Sequence, residues 1–117
     1  MRLNEISYND AMPIDGYGPG FFRVGGQRHD GAVLVLPTGV SAWGAFEDRA
    51  SLLKIADQID VLFVGTGAEI AHLPTDFRKV MEDAGIGVET MASPAACRTY
   101  NVLLSEGRRV AAALLPV

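Results

Sequence analysis

The pattern of apolar and polar residues is clearest in the second half of the chain, where apolar strands alternate with amphipathic helices. Residues 61–64 form a short run of β-branched and aromatic residues that ends at Gly65-Thr66-Gly67. Such a run is typical of a strand that is covered on both faces, as in a parallel sheet. Residues 86–90 and 110–115 are the two further strands that the pattern predicts.

Two helices are predicted between these strands. The first covers about residues 76–84, where apolar side chains recur at helical spacing. Ser93-Pro94 predicts the start of the second, over residues 94–106, because a serine hydroxyl can cap a helix and proline needs no N–H in the first turn. The order is therefore βαβαβ.

A βαβαβ order brings two distant turns to one edge of the sheet. Strand–helix–strand crossovers are right-handed in nearly all proteins, so the strands should be parallel neighbours. Gly65-Thr66-Gly67 and Ala92-Ser93-Pro94 both follow the carboxyl ends of strands. Open α/β sheets usually bind ligands at this edge.

The first half of the chain predicts a β-hairpin portion joined to the βαβαβ half. Residues 1–20 look rich in loops. Residues 21–24 and 32–36 are predicted strands, with the turn either at Gly25-Gly26 or in residues 28–31. A helix is predicted over about residues 47–58. The whole chain, 1–117, is predicted to be a single α/β domain in which helices pack on the sheet.

Composition narrows the class of protein. The chain has 117 residues with 49% hydrophobic and 21% charged residues, which suits one globular domain. A net charge of −4 argues against nucleic acid as a partner. A single cysteine cannot form an intrachain disulfide, and neither a signal peptide nor a transmembrane segment is evident. We therefore expect a cytoplasmic protein.

The candidate binding residues lie at or near the predicted edge. The helix start at Ser93 could hold an anion on its free N–H groups, with a cationic side chain nearby. The full candidate set is Gly65, Thr66, Gly67, Ser93, Arg98, Tyr100 and Asn101. Each of these residues also has a purely structural explanation. The glycines can form a turn and Ser93 can be an ordinary helix cap. Tyr100 can pack its ring in the core, and Asn101 can hydrogen-bond to nearby backbone. A dinucleotide site is disfavoured, since a third glycine and an immediate helix are missing.

No catalytic group and no metal site is predicted, and no cofactor is expected. Cys97 falls in the first helical turn, but neither His29 nor His72 is tied to it by a motif. Cysteine in this position is more typical of a small buried apolar residue. The two histidines lack the spacing of metal ligands. The sequence therefore favours a binding protein over an enzyme, and the enzyme alternative stays open.

The C-terminal third resembles a known family. The similarity is carried by Val64-Gly65-Thr66-Gly67, by residues 85–89 and 106–114, and above all by Ala95-Ala96-Cys97-Arg98-Thr99-Tyr100-Asn101-Val102-Leu103. These motifs resemble the Mth938-like family, small single-domain proteins of unknown function. Its eukaryotic members include a mitochondrial assembly factor for respiratory complex I and an adipogenesis-associated protein. Where the family often has Asp-Thr-Gly, this chain has Ala92-Ser93-Pro94 and so lacks the acidic side chain.

The resemblance implies a three-layer α/β fold with a central mixed sheet, in a cytoplasmic bacterial homologue with no assigned reaction. It favours a non-catalytic binding or assembly protein whose partners are respiratory-chain assembly proteins. The alternative is an enzyme or sensor that binds a small anion at the carboxyl edge of the parallel strands. A structural homo-oligomer is the third hypothesis.

Overall fold

The computed structural model describes residues 11–117. The strands are β1 (Ile14–Gly18), β2 (Phe21–Val24), β3 (Gln27–Asp30), β4 (Val33–Leu36), β5 (Gly39–Ala42), β6 (Val61–Thr66), β7 (Gly87–Met91) and β8 (Val110–Leu115). The α-helices are α1 (Ala50–Leu53), α2 (Thr75–Asp83) and α3 (Ser93–Ser105), and single 3-10 turns cover Ala45–Glu47 and Ala56–Gln58. Within the described part of the chain, no helix has both the length and the apolar character needed to cross a membrane.

The central sheet has five strands in the order β5-β4-β8-β6-β7. Strand β6 pairs in parallel with both β7 and β8, whereas β4 runs antiparallel to β8 and to β5. The prediction that β6, β7 and β8 form a βαβαβ unit of parallel neighbours is therefore confirmed. The predicted boundaries are also close, because β7 and α2 are each displaced by only one residue from the predicted range.

The fold has three layers because both faces of the central sheet are covered. Along β8, Ala112 and Leu114 face a core that α3 and the β1–β3 sheet cover. The alternate residues Ala111 and Ala113 face a second core, which α2, α1 and Trp43 cover. A strand that is buried on both sides needs apolar residues at every position, which explains the unbroken apolar run of β8.

The N-terminal β portion is larger than predicted. It is a separate antiparallel sheet of three strands in the order β1-β2-β3. Residues 14–18 are strand β1, so the predicted loop was wrong there, and residues 1–10 lie outside the described part. The turn at Gly25-Gly26 joins β2 to β3, so the predicted pairing of residues 21–24 with residues 32–36 is wrong: the latter contain β4 of the central sheet. Asp30-Gly31 is not a hairpin turn, because β3 and β4 belong to different sheets.

The predicted helix over residues 47–58 is broken into three short turns. The first of the two breaks occurs at Asp48, whose backbone has φ −94° and ψ 73°, and the second lies between Leu53 and Ala56. The Asp48 carboxylate accepts hydrogen bonds from the N–H of Gly44 at 3.0 Å and of Ser51 at 3.2 Å, and these bonds hold the pKa of Asp48 below its usual value, the Gly44 bond most of all. A side chain that bonds nearby backbone competes with helix formation. Leu52 and Ile59 of this region are nevertheless buried in the core.

Candidate functional site

The two turns predicted to share an edge do meet, and Ser93 joins them. The Ser93 N–H donates to the Gly67 carbonyl at 2.7 Å, and the Gly67 N–H donates to Ser93 Oγ at 2.9 Å. The Ser93 hydroxyl in turn donates to the Leu115 carbonyl at 2.6 Å. One side chain therefore links the start of α3 to the ends of β6 and β8.

Ser93 does not cap its helix in the predicted way. Helix α3 begins at Ser93 itself, Ala92 occupies the N-cap position, and no side chain caps the helix. Ser93 is completely buried, and its hydroxyl is used as both donor and acceptor inside the protein. A buried hydroxyl needs such partners, because leaving it unpaired costs free energy. The hydroxyl at this edge therefore holds the sheet and the helix together.

The glycines beside Ser93 have a structural explanation. A Cβ atom on Gly65 would lie 2.7 Å from Ser93 Oγ, 2.8 Å from Ser93 Cα and 2.9 Å from Leu114 Cδ2. Gly67 has φ +104°, a backbone conformation that favours glycine. Only a residue without a side chain at 65 lets α3 approach β6 so closely.

Thr66 organises the loop that follows β6. Its hydroxyl accepts a hydrogen bond from the Ala71 N–H at 2.9 Å and donates to the Glu69 carbonyl at 2.9 Å. Threonine commonly closes turns in this way. The loop between β6 and α2 is thereby folded back toward the edge.

The predicted residues on α3 do not join this group. Tyr100 is completely buried, its hydroxyl has no hydrogen-bond partner within residues 11–117, and burial raises its pKa. Asn101 accepts a hydrogen bond from the Ile14 N–H at 2.8 Å and donates to the Ile14 carbonyl at 2.9 Å. Arg98 lies on the exposed side of the helix. A ligand-binding role for the full set stays a prediction.

Cys97 is buried as the sequence predicted. Burial raises the pKa of its thiol to about 11, although Arg98 acts in the opposite direction. A thiolate is the reactive form of cysteine, so this environment suppresses reactivity. Over the described residues, His, Cys, Asp and Glu side chains form no group of three or more that could hold a metal ion.

A cleft of about 500 Å³ lies at the same edge and was not predicted. Its lining includes Ile70, His72, Leu73, Thr75, Arg78 and Thr90. The Arg78 guanidinium donates from Nη2 to Thr90 Oγ1 at 2.9 Å, which joins α2 to the end of β7. The residues come from a loop, a helix and an edge strand. No local motif marks them, and only the parallel topology places them together.

Comparison with known proteins identifies the family. A family model described as a protein of unknown function (DUF498/DUF598) matches residues 14–115, nearly all of the described chain. The chain belongs to the DUF498/DUF598 family.

Its relatives in this family include bacterial and mitochondrial proteins. The chain is 49% identical over 117 residues to the uncharacterized protein RCAP_rcc01784 of Rhodobacter capsulatus, covering all of this chain and 94% of that protein. It is 36% identical over 113 residues to the human NADH dehydrogenase [ubiquinone] 1 alpha subcomplex assembly factor 3. That match covers 91% of this chain but only 61% of the length of the human protein.

Solved structures confirm the predicted fold of this DUF498/DUF598 protein. A Bordetella pertussis protein described as a Mth938-like domain superimposes with a TM-score of 0.75 at 30% identity, covering 92% of this chain and 87% of that one. A protein from Bartonella henselae, described as an outer membrane protein, gives a TM-score of 0.82 at 40% identity, covering 89% and 93%. The resemblance to the Mth938-like family seen in the sequence is therefore confirmed.

Proposed function

We propose that this DUF498/DUF598 protein is a non-catalytic binding protein that takes part in the assembly of respiratory complex I. The observation that carries the proposal is the 36% identity with the human assembly factor, which extends over 91% of this chain. Because the match covers 91% of this chain, it concerns most of the domain rather than one motif. The 39% of the human protein outside the match is a reason to test the activity directly.

The hydroxyl and thiol groups of α3 favour a binding role over a catalytic one. The hydroxyl of Ser93 is occupied by two backbone partners. The thiol of Cys97 is buried and has a raised pKa, and the hydroxyl of Tyr100 is buried as well. A nucleophile needs an adjacent base and access to its substrate. These side chains instead contribute to the interior of the protein.

Arg98 is retained in this proposal as a contact to a partner protein. It is exposed on α3, and its guanidinium makes no hydrogen bond or ion pair within residues 11–117. Arginine is enriched in protein interfaces, where its planar group forms several hydrogen bonds. Lys79 on α2, which is exposed and pairs with Asp83 at 3.1 Å, offers a control on another surface of the domain.

Capture from the native host tests the proposal. The tagged protein is cross-linked in respiring cells, purified, and its partners are identified by mass spectrometry. We expect complex I subunits or an assembly protein to be enriched over a tagged unrelated domain. Arg98→Glu should lower that recovery, whereas Lys79→Glu should leave it unchanged. If repeated captures recover no respiratory-chain protein, the proposal is contradicted.

We further propose that the protein acts in the cytoplasm. The sequence-based expectation of a cytoplasmic protein motivates this location. Fractionation of the native host would check it: the protein should remain in the supernatant after the membranes are sedimented. Recovery of most of the protein with membranes that have been washed with high salt would contradict this location.

A further inference from the structure

The cleft at the carboxyl edge is lined by both polar and apolar side chains. The polar ones are Thr75 and Arg78 of α2, Thr90 of β7 and His72 of the loop before α2. The large apolar ones, Ile70 and Leu73, come from that same loop. None of the residues that line the cleft carries a carboxylate. Its volume, about 500 Å³, is in the range of small-molecule sites.

The Arg78 guanidinium is held in position while part of it stays free. Its Nη2 donates to Thr90 Oγ1 at 2.9 Å, which fixes the side chain against the edge strand. Its Nη1 lies 3.4 Å from Glu82 Oε2, and the two side chains are 41% and 54% exposed. An exposed ion pair of this length contributes little and is readily exchanged. The remaining N–H groups can therefore turn to an incoming anion.

The apolar residues of the lining indicate what the anion is attached to. Ile70 is 66% exposed, the highest value among the exposed large apolar residues of the described chain. It borders the same cleft as Arg78. A ligand that covers Ile70 and Leu73 gains free energy by removing apolar surface from water. The guanidinium is suited to a planar carboxylate, with which it forms paired hydrogen bonds.

We propose that this cleft binds a small molecule that has a carboxylate on an apolar body. The carboxylate pairs with Arg78 and displaces Glu82, and the body lies on Ile70 and Leu73. The site differs from the predicted set, because Ser93, Tyr100 and Asn101 are engaged elsewhere in the protein. It also goes beyond the proposed role in assembly, and it can be tested on the purified protein alone.

The test is a titration of the ¹⁵N-labelled protein followed by amide chemical shifts, with hexanoate, its neutral analogue hexanamide, and inorganic phosphate as probes. Hexanoate should shift the amides of residues 70–78 and of Thr90 in a saturable way. Hexanamide lacks the charge and phosphate lacks the apolar body, so both should bind roughly tenfold more weakly, a difference of about 1.4 kcal/mol.

Variants assign the binding to Arg78. Arg78→Gln should weaken hexanoate binding at least roughly tenfold, while Arg23→Gln, at an exposed arginine of β2 outside the cleft, should have no effect. Glu82→Gln keeps Arg78 and removes the competing carboxylate, so it should tighten binding and provides a second test if Arg78→Gln does not fold. Absence of saturable shifts with hexanoate, equal binding of hexanamide, or equal effects of the two arginine variants would overturn the proposal.

Discussion

Ser93 and Gly67 exchange two hydrogen bonds across the carboxyl edge of the central sheet. The Ser93 N–H donates to the Gly67 carbonyl at 2.7 Å, and the Gly67 N–H donates to Ser93 Oγ at 2.9 Å. Because Ser93 is the first residue of α3 and Gly67 follows β6, this pair fixes the start of the helix to the end of the strand. The sequence predicts a ligand site at this edge, but here the hydrogen bonds of Ser93 connect the helix to the sheet.

Ser93→Ala should destabilise the protein by about 1–3 kcal/mol, because it leaves the buried N–H of Gly67 and the carbonyl of Leu115 without their partner. Urea unfolding gives the free energy directly. Ser41→Ala, at an exposed position in β5, is the control and should change stability by less than about 0.5 kcal/mol. Equal effects of the two variants would show that the hydrogen bonds of the Ser93 hydroxyl contribute no stability.

Gly65→Ala should also destabilise the protein, by roughly 1–3 kcal/mol, because the new methyl group would overlap Ser93 and Leu114. Thermal or urea unfolding measures the loss. Gly16 is the matched control, since it also lies in a strand and a Cβ atom there meets nothing within 4 Å. If Gly65→Ala is as stable as Gly16→Ala, the approach of α3 to β6 is looser than the structure shows.

Asn101→Ala should loosen strand β1. The Asn101 amide makes both of its hydrogen bonds to the backbone of Ile14, as a neighbouring strand would. We expect a loss of about 1–3 kcal/mol and faster hydrogen exchange at the Ile14 amide. Val102→Ala, on the exposed side of the same helix, should leave that amide unchanged. Unaltered exchange in the Asn101 variant would contradict a bridging role.

The raised pKa of the buried Cys97 thiol should make the protein less stable at alkaline pH. Burial raises the pKa of its thiol from 9.0 to about 11, so the unfolded state loses this proton first as the pH rises. The stabilisation is complete below the unfolded pKa and is lost as the pH rises toward the folded one. The free energy of unfolding should fall by roughly 1 kcal/mol between about pH 7.5 and 9.5. Cys97→Ala should flatten this fall, and an identical slope in both proteins would contradict the assignment.

The C-terminal half was predictable because its signals are local. Strands β6 and β8 are apolar runs, and α3 begins at Ser93-Pro94. The apolar pattern and the helix-start signal therefore predict the same elements. The glycines and the proline near β1 are typical of a loop, so the local pattern gave no sign of this strand. Its extended conformation depends on pairing with β2 and on the hydrogen bonds between Asn101 and the backbone of Ile14. Near the start of the predicted helix over residues 47–58, Asp48 interrupts the helix because its side chain bonds the adjacent backbone.

The candidate site was predictable in position but not in composition. Parallel strands place their carboxyl ends together, so the meeting of Gly67 and Ser93 followed from topology. Which side chains face outward there depends on packing, which no motif records. Thus Ser93 and Tyr100 are buried, while Arg78 and Thr90, 12 residues apart, are hydrogen-bonded and line the cleft.

The proposed function is tested most directly by the amount of assembled complex I in a strain of the native host that lacks this protein. Native gel electrophoresis with an NADH-dehydrogenase activity stain measures the complex, and succinate dehydrogenase in the same membranes is the control. We expect assembled complex I to fall several-fold, subcomplexes to accumulate, and the wild-type gene to restore the complex, with succinate dehydrogenase unaffected throughout. An unchanged amount of fully assembled complex I in the deletion strain would contradict a role in its assembly.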